Sequence, residues 1–139
     1  MKKLAIIIFL LIAISIVWFA PRRNTTIAVG TAKLNIIVAD SPAEIVQGLS
    51  DQASMGADDG MLFILQESTI PRFWMKDMHF GLDIIWIDEE KKIVGIEKNI
   101  SPDTYPATFT PPTLIKYVIE VNAGWADAHG IVPGNLVSW

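Results

Sequence analysis

Read from its N-terminus, the chain sets one long apolar block against a series of short, partly alternating ones. Leu4 to Ala20 contains a single polar residue, Ser15, and is flanked by Lys2-Lys3 and Arg22-Arg23. As a helix this block would span about 25 Å, against ~30 Å for the hydrocarbon core of a bilayer. It is short for a span and long for the apolar part of a secretory signal. With no polar face and basic residues on both sides, residues 1–23 are read as a membrane anchor or signal segment, with residues 4–20 in the membrane. The bulky Trp18 and the adjoining Pro21 make a poor cleavage site around Ala20, so an anchor is preferred. The flanking charges balance, and the positive-inside rule gives little contrast. The terminal position favours export of the rest of the chain.

Beyond the block the pattern is mostly extended. Residues 24–32 read as a linker and the start of a first strand, and the main domain is placed at 33–139. "TTIAVGTAKLNIIVAD" is β-branched and partly alternating, with Gly30 at a turn or bulge. "DSPAEIVQGL" predicts a short helix with Asp40 or Ser41 as N-cap, Pro42 in the first turn and Glu44 near the positive end of the dipole. "GMLFIL", "FWMK" and "LDIIWID" predict strands, and Asp88 to Lys91 a hairpin turn into "KKIVGIEKN". Four prolines in "SPDTYPATFTPP" exclude a helix or central strand there and suggest a rim, a lid or a rigid surface connection. "IKYVIEVN" is a strand, "GWADAH" a short helix stopped by Gly130, and "GNLVSW" a last strand. These elements imply an α+β fold class: a mostly antiparallel or mixed β domain, small and barrel-like, with two short helices, behind the N-terminal helix.

Charge sharpens this picture. Of 11 basic residues, Lys2, Lys3, Arg22 and Arg23 flank the apolar block, while all 15 acids lie at Asp40 or later. The remainder therefore holds seven basic groups against fifteen acidic ones, a net charge of −8. Such a surface repels phosphate backbones, and nucleic acid is not an expected partner. No cysteine is present, which removes disulfides, thiolate nucleophiles and thiolate zinc sites. His79 and His129 lack a ligand-type spacing, and Ala57 to Gly60 ("ADDG") lacks the acidic repeat of a calcium loop. No metal or cofactor is expected. Ser50, Ser54 and Ser101 have no nucleophile-elbow context.

The chemistry-bearing residues cluster elsewhere. In "RFWMKDMHFGLDIIWID", Lys76 comes straight after Phe73-Trp74-Met75 without a break, and Asp83 interrupts a strand apolar on both faces. In "YVIEVN", Glu120 and Asn122 share a face with Val118. A buried unpaired charge costs several kcal/mol, comparable to the whole stability of a small domain. Lys76, Asp83 and Glu120 must then pair, as a Lys76 ion pair with Asp83 or Glu120, or lie at strand ends in water, or line a wet concavity walled by Trp74, Trp86 and Phe73. The candidate site is Trp74, Lys76, Asp83, Glu120 and Asn122.

"GMLF" (Gly60–Phe63), "FWMKDM" (Phe73–Met78), "LDIIWID" (Leu82–Asp88), "YVIEVNAG" (Tyr117–Gly124) and "HGIVPGNLV" (His129–Val137) resemble, in order and spacing, the domain of unknown function 192. The likeness covers roughly Lys33 to Val137. It implies a small barrel-like α+β domain, often behind a signal or membrane segment, and carries no established activity. It also implies that Gly48-Leu49, Trp74-Met75-Lys76, Leu82-Asp83 and Glu120-Val121-Asn122 belong to the family signature. Gln47, Ser50, Gly81 and Asn135 depart from it, the first two where a basic residue and a methionine are usual.

The expected function is an extracytoplasmic, membrane-tethered binding or envelope-associated module, not an enzyme, with a small polar ligand or envelope component in the pocket. A hydrolase or lyase using Asp83 and Glu120 on an envelope polysaccharide is the alternative. A structural partner of a membrane protein is a third.

Overall fold

The computed structural model describes residues 24–139; the N-terminal anchor or signal segment lies outside the described residues. Among the described residues no helix is long and apolar enough to cross a membrane. Nine strands are described: β1 (Asn24–Val29), β2 (Ala32–Ala39), β3 (Asp59–Thr69), β4 (Phe73–Trp74), β5 (Leu82–Ile87), β6 (Ile93–Ile100), β7 (Thr108–Phe109), β8 (Ile115–Asn122) and β9 (Val137–Ser138). Two short α-helices, α1 (Pro42–Gln47) and α2 (Trp125–Ala128), complete the α+β fold, and one 3-10 turn, Pro102–Thr104, forms in the proline-rich segment where the sequence predicts no helix.

Seven strands form one sheet in the order β6-β5-β8-β3-β2-β1-β9. All pairings are antiparallel except β2 with β3, which run parallel and are joined by a crossover through α1. The two ends of the sheet meet. β9 pairs with β1, and the residues around it also bond the entrance of β6: Ile93 N–H donates to Asn135 C=O at 2.9 Å and Val137 N–H to Lys91 C=O at 2.9 Å. The architecture is therefore barrel-like, as the alternating blocks suggest.

Period-two alternation sorts the side chains of the central strands onto two apolar faces. Ile85 and Ile87 of β5, Leu62 of β3, and Ile119 and Val121 of β8 join residues from β1, β2, β6 and β9 in the barrel interior, together with Trp125 and Ala126 of α2. Leu82, Ile84 and Trp86 point the other way, with Met61, Phe63 and Leu65 of β3 and Val118 of β8. That outer face needs a cover, since every residue of β5 is buried. The loop after α1, through Leu49, supplies part of it, and residues 71–80, through Phe73 and Met75, supply the rest.

α1 starts as its sequence dictates. The Ser41 hydroxyl accepts from Glu44 N–H at 3.3 Å and the Glu44 carboxylate accepts from Ser41 N–H at 3.0 Å, a reciprocal cap. Gly48 ends the helix at φ 50°, which only glycine adopts cheaply. Two expectations change. "FWMK" is a strand only at Phe73–Trp74, because Met78 N–H turns back to Met75 C=O at 3.3 Å and Asp77 sits at φ 55°. The proline-rich segment folds over this strand: β7 pairs with β4 as a separate two-stranded sheet, and Tyr105 packs edge-on to Trp74 at 6.2 Å.

Candidate functional site

Glu120 lies in the middle of β8, opposite Met61 of β3 and Ile84 of β5, so it projects onto the outer apolar face. It is 5% exposed, and among the described residues its carboxyl has no hydrogen-bond or ion-pair partner. Burial alone pushes its pKa up from 4.5 to about 8, because water that would solvate the carboxylate is excluded.

The carboxyl is left over because it opens into a cavity of about 180 Å³. α1 and residues Gln47–Ser50 form one wall, Pro71–Trp74 and Met78 the other, and Phe63 and Leu65 of β3 lie beside Glu120. The two walls are tied together: the Ser50 hydroxyl donates to Lys76 C=O at 2.8 Å and Asp51 N–H to Asp77 C=O at 2.8 Å. Phe63 and Phe73 meet edge-to-face at 5.1 Å, which fixes the inner apolar surface. Val46 and Trp74, 75% and 47% exposed, stand at the mouth with Arg72.

Asp83 has a different task. It is fully buried and faces the barrel interior, opposite Val121. A bulge places Lys98 and Asn99 of β6 outside the ladder between the Leu82–Ile100 and Ile84–Glu97 pairs, leaving Asn99 N–H without a strand partner. Asp83 Oδ1 accepts that N–H at 2.8 Å and Gly124 N–H at 3.1 Å, while Oδ2 accepts Ala126 N–H at 2.9 Å. The start of α2 has no side-chain cap of its own, so Asp83 caps it from a neighbouring strand.

A larger, more polar hollow of about 480 Å³ lies across β1 and β2. Its carboxylate, Asp59, already accepts from the Asn35 amide at 3.3 Å, and Thr26 bonds Asn35 at 3.0 Å. The Glu120 cavity is the better candidate because its acid is unanswered.

Residues 23–139 match the sequence model of DUF192, described as Uncharacterized ACR. The chain belongs to the DUF192 family. Its fold is shared by solved structures, two of which are similar over most of both chains. One, from Sinorhizobium meliloti 1021, is described as a "putative transcription regulator"; it is 29% identical with a TM-score of 0.80, over 84% of this chain and 94% of that one. The other, a protein of unknown function from Novosphingobium aromaticivorans DSM 12444, is 24% identical with a TM-score of 0.80, over 90% and 91% of the two chains. No curated protein matches the chain.

In this DUF192 domain the five residues singled out by sequence do not share one hollow. Glu120 and Trp74 line the cavity. Asp83 is on the opposite face of the sheet, so an Asp83–Glu120 acid/base pair has no geometry. Lys76 is exposed and, among the described residues, makes no ion pair with Asp83 or Glu120. Asn122 shares the Glu120 face, but its amide donates to Gly56 C=O at 2.8 Å and Met55 C=O at 3.4 Å and holds that loop. Of the three expected aromatic walls, Phe73 and Trp74 line the cavity, whereas Trp86 lies behind Phe73 at 5.5 Å. Sequence reasoning missed Ile45, Leu49, Phe63, Leu65, Arg72 and Met78 as lining residues. The alternation of Met61, Phe63 and Leu65 marks their common face, but not what covers it.

Proposed function

We propose that this DUF192 domain is a small-molecule-binding module, held outside the cytoplasm by its N-terminal apolar segment, with the Glu120 cavity as its site. One observation carries the reading: a buried carboxyl without a partner among the described residues, at the bottom of an apolar hollow that opens to solvent. A fold that needed only packing there would place an apolar residue, since an unanswered buried acid lowers stability. Apolar pockets with one convergent polar group are the usual form of ligand sites. The volume is slightly above the ~150 Å³ that accommodates a benzene ring, so the ligand, or the part of it that enters, is ring-sized. The family and the similar structures assign no ligand. The regulator description of the Sinorhizobium protein does not carry nucleic-acid binding over to this chain, since a net charge of −8 beyond residue 23 repels phosphate backbones.

An NMR screen of the full-length protein against ring-sized fragments tests the site. Fragments are expected to shift the Trp74 indole and the Leu49 and Leu65 methyl resonances, and Leu65→Trp, which fills the cavity, is expected to abolish those shifts. A screen that moves none of these resonances overturns the reading. For the tether, the full-length protein is expected to sediment with membranes, its C-terminal domain open to protease added from outside. Recovery at full mass from the soluble cytosol overturns that part.

A further inference from the structure

The distribution of charge around the cavity narrows what it holds. Among the described residues, Arg72 is the one ionisable group on the lining besides Glu120; it stands at the mouth and forms no ion pair with Glu120. The strand neighbours facing Glu120, Met61 and Ile84, are apolar. Among the described residues no group therefore answers the carboxyl's charge, and once it is ionised both its oxygens are free to accept. Beyond residue 23 the chain as a whole holds eight more acidic than basic groups, a net charge that favours the approach of cations over anions.

We propose that the cavity takes a primary ammonium ion bearing one ring-sized apolar group, the ammonium bonded to the Glu120 carboxylate and the apolar group held between Leu49, Phe63 and Phe73. This rests on the cavity being a ligand site. An ammonium brings three donors and no acceptor, the complement of an ionised carboxylate. A neutral hydroxyl would satisfy the acid but leave the surrounding field unused. Ionising Glu120 inside the cavity is within reach of such a ligand. With a pKa of about 8 roughly one molecule in ten is ionised at pH 7, so the cost is about tenfold in affinity, and charge-assisted hydrogen bonds are roughly twice as strong as neutral ones. Below pH 8 the step is a displacement: the ammonium enters, the Glu120 carboxyl loses its proton to water, and the ion pair forms.

Titration calorimetry of the full-length protein with benzylamine, benzyl alcohol and benzoate tests this. Benzylamine is expected to bind best. At pH 6, in two buffers of different ionisation heat, it should release close to one proton. Its affinity should rise about tenfold from pH 6 to pH 7 and flatten near pH 8. Glu120→Gln should lose both the proton release and the pH dependence. The ammonium assignment is overturned, with the ligand site left standing, by benzyl alcohol or benzoate binding as tightly as benzylamine, or by benzylamine affinity that is flat from pH 6 to pH 8. Binding of none of the three, together with a silent fragment screen, overturns the site itself.

Discussion

Replacing Asp83 by alanine is expected to lower the unfolding free energy by about 3–5 kcal/mol, the range for removing one partner of a buried charged contact. The carboxylate is fully buried and accepts three backbone N–H groups, from Asn99, Gly124 and Ala126. Without it those donors lose their acceptor in the interior, at about 1–3 kcal/mol for each one left unsatisfied. The bulge in β6 and the first turn of α2 are both held by this side chain, so the loss spreads to two elements. Asp83→Asn keeps the shape but turns an N–H₂ group towards N–H donors, and is expected to fall between wild type and alanine. Urea unfolding followed by circular dichroism reads the effect, with a melting temperature lowered by about 10 °C or more for alanine. An unchanged midpoint would show that the cap contributes nothing. With a total stability of about 5–15 kcal/mol for a domain of this kind, the alanine variant approaches the threshold of folding.

Glu120→Gln is expected to act in the opposite direction. The folded protein holds the Glu120 proton up to about pH 8, whereas the unfolded chain releases it near 4.5. The folded state thus binds more protons between those values. Wild-type stability is greatest with respect to this group below pH 4.5, falls by about 1.4 kcal/mol per pH unit as pH rises, and levels off above pH 8. Glutamine removes the titration. It is therefore expected to be more stable than wild type by roughly 2–3 kcal/mol at pH 7, the amide's own burial offsetting part of the gain. The difference between the two proteins should shrink at pH 5. Urea curves at pH 5, 6, 7 and 8 give it directly, and a constant difference across that range would mean that Glu120 is not held in a dry environment.

Much of the architecture is legible in the sequence because short alternating blocks and turn residues report local geometry. "LDIIWID" and "YVIEVN" are strands, and the parity of each is as read: Asp83 alternates with Leu82 and Ile84, and Glu120 lies with Val118 and Asn122. Cross-strand register is not local. Asp83 stands opposite Val121 rather than Glu120, and that one-residue offset sends the two carboxylates to opposite faces. Lys76 escapes a sequence reading for a related reason. "FWMK" has a strand's composition, but the turn at Met75–Met78 ends the strand at Trp74 and puts the lysine in solvent. The cavity is legible only in its aromatic half. Its other wall comes from α1 and Leu49, distant in sequence and brought there by the parallel crossover between β2 and β3.

The seam between β1 and β9 makes closure of the barrel a long-range event. Ala28 and Val29 pair with Ser138 and Val137, so the outer edge of β1 is filled by a segment far away in sequence. Such long-range pairing is slow to form. Until β9 docks, β1 presents an unpaired strand edge, the kind of edge that invites pairing with another chain.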